Sequence, residues 1–256
     1  MQKLSLLCCI CLLSFSLYAQ KEGEVVFKEV MKIEIQLPED SPISAEELKK
    51  MMPSEQITKR VLYFTEKATL YTALPETEEA HNEFSHEGEG VRFEMKIMGG
   101  SSENKVFVDL QKETLIQQQD FMGKTFIIKD DEPKLPWKLS TEQKEILGYT
   151  CCKATATMEE REVEAWFTTA LAVPSGPDSY YGLPGMILEV NSKSEAGARK
   201  IIATAINEKT LEKDLIVAPN KGKKVNSDQF RKIVEEKTKE MQEQMGGRNG
   251  TMIIRG

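Results

Sequence analysis

The sequence predicts a mainly β fold (α+β): a strongly curved antiparallel sheet or half-barrel with a C-terminal helix. Three observations carry that expectation. Apolar residues recur with period two along most of the chain, short turns interrupt the pattern at close intervals, and helical spacing is confined to two segments. The first strand shows the pattern best. From Val25 the odd positions Val25, Phe27, Met31, Ile33, Ile35 and Leu37 are apolar, with Glu29 the one interruption, while Glu24, Lys28, Lys32, Glu34 and Gln36 fall between them. Such alternation marks a half-buried antiparallel strand.

Similar segments follow at 60–65, 68–74, 91–98, 105–110, 114–121, 124–129, 146–158, 162–169, 186–191 and 200–206. Turn residues separate them, among them Gly99-Gly100-Ser101-Ser102, Gly123, Glu159-Glu160 and Glu195-Ala196-Gly197. No regular alternation of strands with helices suggests a parallel sheet. One short helix is expected where Ser44-Ala45-Glu46-Glu47 forms a capping box ahead of Leu48, Met51 and Met52. A longer one is expected after Ser227 as cap, with Phe230, Ile233, Val234, Met241 and Met245 on its apolar stripe and Gly246-Gly247 as its stop. Residues 246–256 read as a loose tail or a small strand at Met252-Ile253-Ile254.

Composition bounds the function. The chain has 256 residues, 34 Lys plus Arg against 41 Asp plus Glu, and a net charge of -7. An acidic, evenly mixed surface argues against nucleic acid as a partner, because phosphate neutralisation needs a basic face. Two His and five Cys exclude most His-rich metal cages and multi-disulfide scaffolds. Met1–Ala19 has one lysine, an apolar run and a small residue at its end, the layout of a cleaved signal peptide. The mature chain is expected to be exported, periplasmic, outer-membrane-associated or secreted. No transmembrane segment is expected after cleavage, and 20–245 is read as a single domain.

Cleavage would remove Cys8, Cys9 and Cys11 and leave Cys151-Cys152. Adjacent residues of a strand face opposite ways, so one thiol is expected to be buried structurally and the other free to oxidise or pair. His81 and His86 lie among six glutamates, which suits either a divalent cation or a flexible acidic loop; the loop is the expected state, with no metal and no cofactor. Met241 and Met245 are expected in a core-facing stripe. No nucleophile elbow or phosphate loop occurs, so no catalytic residue is assigned.

The sharpest motif is the loop after the strand bearing Trp166. It holds Pro174, Gly176 and Pro177, then Tyr180 and Tyr181, and then Gly182, Leu183, Pro184 and Gly185 ahead of Met186. Leu183-Pro184-Gly185 reads as a β-turn, with Pro presetting one central residue and Gly supplying positive φ at the next. Stiff and aromatic, the segment is expected to act as a lid, a docking surface or a plug at one end of the sheet; the loop and Trp166 are the candidate binding residues.

The string YYGLPGMILEV resembles the signature of the GLPGLI family of exported bacterial proteins. The stretches VFVDLQKETLIQQQDFMGKTFIIKD, LPWKLSTEQKEILGYTCCKATA and AWFTTALAVPSGPDSYYGLPGMILEV are similar to that family in order as well. The resemblance implies an envelope setting and no known activity. The order strand with Trp, loop, Leu-Pro, strand is also similar to that of periplasmic lipoprotein carriers, an analogy at the level of fold. The expected function is therefore a non-enzymatic binding or carrier module for an apolar or amphipathic, lipid-like ligand. The alternative is an accessory protein docking an outer-membrane or envelope protein through 174–185, with a hydrolase or redox enzyme ranked last.

Overall fold

The computed structural model describes residues 22–33, 55–75, 83–88, 91–98, 104–130, 135–158, 161–194, 197–245 and 251–255. The expected leader, the 44–52 helix and His81 lie outside the described residues. Twelve strands form one sheet and three a second. In the first sheet β1 (Gly23–Ile33) pairs with β2 (Glu55–Phe64), then β3 (Ala68–Ala73), β6 (Lys105–Asp109), β7 (Thr114–Phe121) and β8 (Lys124–Asp130) follow outward. On its other edge β1 pairs with β13 (Gly197–Glu208), followed by β12 (Met186–Ser194), β11 (Arg161–Thr168), β10 (Tyr149–Met158) and β9 (Lys138–Ile146). All these pairings are antiparallel; the short β14 (Lys223–Val225) runs parallel to β8. The second sheet consists of β4 (Glu83–Gly88), β5 (Val91–Met98) and β15 (Thr251–Arg255).

The sheet is mainly β and antiparallel, as the alternation predicts, and open at β9 and β14. Two-residue turns set the register of two hairpins. Met122-Gly123 and Leu147-Gly148 have φ of 53°, 69°, 52° and 83°, the double left-handed geometry that matches strand twist. Three strands escape the sequence pattern. The clearest is β9, where Lys138, Glu142, Gln143 and Glu145 are exposed; as an edge strand it has no buried face to impose period two. The others are β4, which holds His86, and the short β14; the small strand expected as one reading of the C-terminal segment is β15.

The helix α1 (Ser227–Met245) matches its expected span but not its cap. Asn226, not Ser227, caps it: the Gln229 amide donates to Asn226 Oδ1 at 2.8 Å, and the Asn226 amide to Gln229 Oε1 at 3.0 Å. That reciprocal pair satisfies two donors that the first turn leaves without intrahelical partners. Phe230, Ile233 and Val234 then meet Phe121, Phe126 and Ile128 at the β7–β8 end of the sheet. Phe230 stands edge-on to Phe126 at 5.2 Å and to Phe121 at 6.1 Å between centroids.

The segment 169–185 folds back against its own flanking strands. Leu171, Val173, Tyr180 and Leu183 join the core built by Val25, Phe27, Leu62, Phe64 and Ile187. Ser175 bonds Thr69 across the interior at 2.8 Å, and the Ile187 amide donates to Ser175 O at 2.8 Å. The turn at Pro184 is tighter than the expected β-turn. Gly185 N donates to Leu183 O at 2.8 Å, two residues back, a γ-type closure that recurs around Pro174 and Pro136. Proline suits the centre of such turns because its φ is already fixed and it has no amide to satisfy.

Gly185 has φ +153°, and a methyl on it would lie 2.1 Å from Thr168 O. Gly185→Ala is expected to destabilise by ~2 kcal/mol or more, lowering Tm by about 5 °C. Gly123→Ala, whose methyl meets nothing within 4 Å, bears only the left-handed penalty of about 1 kcal/mol. Thermal melts of the two variants separate clash from backbone strain. Cys151 is buried, and burial pushes its thiol up to about 11, whereas Cys152 is half-buried on the other face. A maleimide is therefore expected to label Cys152 in the native protein and Cys151 only on unfolding, read by mass mapping of the labelled peptides.

Candidate functional site

Period-two alternation places residues of six strands in register on one face. One cross-strand row runs Thr157, Glu162, Lys193, Ala198, Lys32, Glu55 across β10, β11, β12, β13, β1 and β2. The next runs Thr155, Glu164, Asn191, Lys200, Val30, Ile57. All of them but Ile57 line a trough of about 880 Å³, with Lys138 of β9 at its rim. That volume falls in the range of small-molecule sites.

A third row, Lys153, Trp166, Glu189, anchors the trough from one side. Lys144 Nζ lies 2.7 Å from Glu189 Oε2 and 4.2 Å above the Trp166 ring, a cation–π contact. Trp166 Nε1 donates to Glu164 Oε1 at 2.9 Å, and Lys153 reaches the other oxygen of Glu164 at 2.9 Å. Asn191 Nδ2 donates to Glu189 Oε1 at 2.9 Å, and Lys200 approaches the same oxygen at 3.2 Å. Burial works against ionised Glu189 and Glu164. The Lys144 and Asn191 hydrogen bonds outweigh it at Glu189, and those from Lys153 and Trp166 at Glu164, so both carboxyls sit below their ordinary range. The face thus presents fixed donors and acceptors of both signs.

Of the residues expected to bind, Trp166 alone belongs to this face; its side chain lies under Lys144. Tyr180, Tyr181, Leu183 and Met186 are at most 7% exposed, which among the lid, docking surface and plug expected for this loop fits the plug. Pro177, Gly176 and Gly185 are buried with them, Gly182 is half-buried, and Pro174 and Pro184 are exposed. The physical reason is packing: the aromatics fill the space at the strand ends that an apolar ligand would need. The trough residues escaped the sequence reading because alternating Lys, Glu and Thr on a strand look like any solvated face. The signal that finds them is register, which one sequence does not display.

Glu164 and Glu189 have folded pKa values below their unfolded ones. Their stabilisation is present above the ordinary glutamate value of 4.5 and is lost as pH falls through the folded values. Thermal melts are expected to be flat between pH 7 and pH 5 and to fall below pH 4.5. Glu189→Gln should lower Tm at pH 7 and flatten the acid decline.

Comparisons with known proteins bear on the fold first. Two solved structures of PNGF-II, in the P21 and C2 space groups, superpose with TM-scores of 0.52 and 0.50 at 14% identity. Each match covers 84% of this chain, and the chain spans about a third of their length (34% and 33%). Among curated proteins no match is found. Residues 98–231, just over half of the chain, match the family described as N-glycanase peptide, N-terminal domain. This match overturns the GLPGLI assignment, and with it the reading as a non-enzymatic carrier or docking accessory, since the matching family is that of an enzyme's domain. The analogy to lipoprotein carriers also falls, because the 169–185 segment fills the interior that an acyl chain would occupy. By that match the chain belongs to the N-glycanase peptide N-terminal domain family.

Proposed function

We propose that the chain serves the hydrolytic release of N-linked glycans, and that its trough holds the glycan portion of a glycopeptide. The observation that carries this reading is the pair of polar rows across β10 to β13, β1 and β2, in a chain of N-glycanase family. Sugar hydroxyls need donors and acceptors at short spacing, and the rows supply carboxylates, lysines, threonines and an amide about 5 Å apart across neighbouring strands. Glu164 and Glu189 are fixed by lysines before any ligand arrives, so little ordering is left to the binding step. Glu162 and Lys193, on the outer row, have no ion pair among the described residues and face the ligand instead. The leader-like Met1–Ala19 segment supports action outside the cytoplasm, where glycoproteins are met; among the described residues no helix is long and apolar enough to cross a membrane.

PNGF-II is about three times as long as the matched region. This reading therefore gives the trough the task of holding substrate, which positions the scissile amide for attack by water. Calorimetry with an N-glycopeptide and the same peptide without its glycan tests it, with glycan release followed by chromatography. Saturable binding of the glycopeptide alone is expected, weakened about tenfold in the Asn191→Ala/Glu162→Gln double variant. Absence of both binding and release, or equal binding of the bare peptide, overturns the proposal.

A further inference from the structure

The large sheet ends at β9, whose outer edge meets no other strand among the described residues. Two exposed leucines frame that edge. Leu139, near its start, is 64% exposed, and Leu147, in the turn that ends it, is 47% exposed. Leu147 holds φ 52°, a left-handed position that suits asparagine or glycine and not an apolar side chain. Within one chain the residue is disfavoured twice, by its backbone and by its contact with water.

Hairpin geometry decides which backbone groups of β9 are free. Ile146 and Tyr149 flank the two-residue turn and face each other, the hydrogen-bonded pair of such a hairpin. Counting back from Ile146, Lys144 and Glu142 direct their amides inward, and Glu145, Gln143 and Thr141 direct theirs outward. The irregularity in the β9–β10 pairing occupies an inward group. Residues 140–142 oppose Lys153 there, and the Glu142 amide donates to Ser140 Oγ at 3.2 Å. The outward row stays available to another strand.

We infer that β9 pairs antiparallel with β9 of a second copy of this chain, centred on Gln143, joining two sheets edge to edge. The strand is complementary to itself about that residue. With Gln143 opposite Gln143, Glu142 faces Lys144, Thr141 faces Glu145 and Leu139 faces Leu147, each pair occurring twice. The neighbouring registers fail on charge. Centring on Glu142, Lys144 or Glu145 sets that residue against its own copy, and centring on Thr141 sets Lys138 against Lys144. The two leucines stand equally far from Gln143, so the one register that matches charge also covers all four of them. The twofold axis is normal to the sheet, and the troughs of both copies open on the same side. This pairing does not depend on what the trough holds. A single ladder buries little area beside an obligate interface, so the dimer forms and dissociates with protein concentration.

Sedimentation of the exported chain over a concentration series tests this, with reductant present so that Cys152 cannot bridge copies. A monomer–dimer equilibrium is expected. The Leu139→Thr/Leu147→Asn variant suits an exposed strand and a left-handed turn. It is expected to raise the dissociation constant at least about tenfold without lowering Tm. A short bismaleimide reads the register in a Cys152→Ser background. Gln143→Cys is expected to give cross-linked dimer. Glu145→Cys, four residues or about 14 Å along the ladder from its own copy, is expected to give little. A monomer at every concentration, a dimer indifferent to the leucine variant, or equal cross-linking of Glu145→Cys and Gln143→Cys overturns the pairing.

Discussion

Everything placed on either face of the sheet depends on β1 being hydrogen-bonded along both edges. The strand enters between β2 and β13, and no hairpin joins it to β13; their partners are separated by most of the chain. It joins the outward run β2, β3, β6, β7, β8 to the meander β9–β13. Each concavity is built on it: Val30 and Lys32 floor the trough on one face, and Glu29 and Met31 border a smaller hollow, of about 170 Å³, on the other. A one-residue slip of β1 would exchange these sets and bury Lys32 while exposing Phe27. The apolar residues Val25 and Phe27, fully buried, exclude that slip, so core packing fixes the geometry of both concavities.

Much of this architecture was legible in the chain, for reasons particular to each element. β1 shows alternation because one face is committed to the interior. α1 shows a stripe because Phe230, Ile233 and Val234 meet a ready-made apolar surface. β9 left no such trace, since an edge strand with two solvated faces has only turns to mark it. Glu29 was visible as an anomaly: a charge in an apolar row is either an error of register or a buried polar group with partners. The structure supplies the partners, Tyr71, Arg60 and Arg199, and none of them is near it in sequence. Such convergence is a property of topology, and period and propensity do not encode it.

The Gly-Leu-Pro-Gly string shows how a sharp local motif misdirects a functional reading. Each residue in it answers a packing demand. Gly182 takes φ 91°, Leu183 is 1% exposed, Pro184 centres a γ-turn, and Gly185 passes so close to Thr168 that no side chain fits. A string set by such constraints reports how a loop closes on a sheet. Its amides at Gly182 and Gly185 are already bonded to Pro174 O and Leu183 O, and those of the next two residues, Met186 and Ile187, to Leu171 O and Ser175 O.

The division of labour between the two faces follows from what each can spare. The core side must exclude water over most of its area, so polar groups survive there only as a compensated cluster, and an opening beside it is small. The other face is already hydrated, and long lysine and glutamate side chains cross-link it at modest net energy because each pair stays partly exposed. A wide ligand rich in hydroxyls displaces that hydration without crossing into the core. A wide polar face and a small compensated cluster therefore make opposite demands on burial. A sheet whose successive residues point alternately up and down meets both with one set of strands.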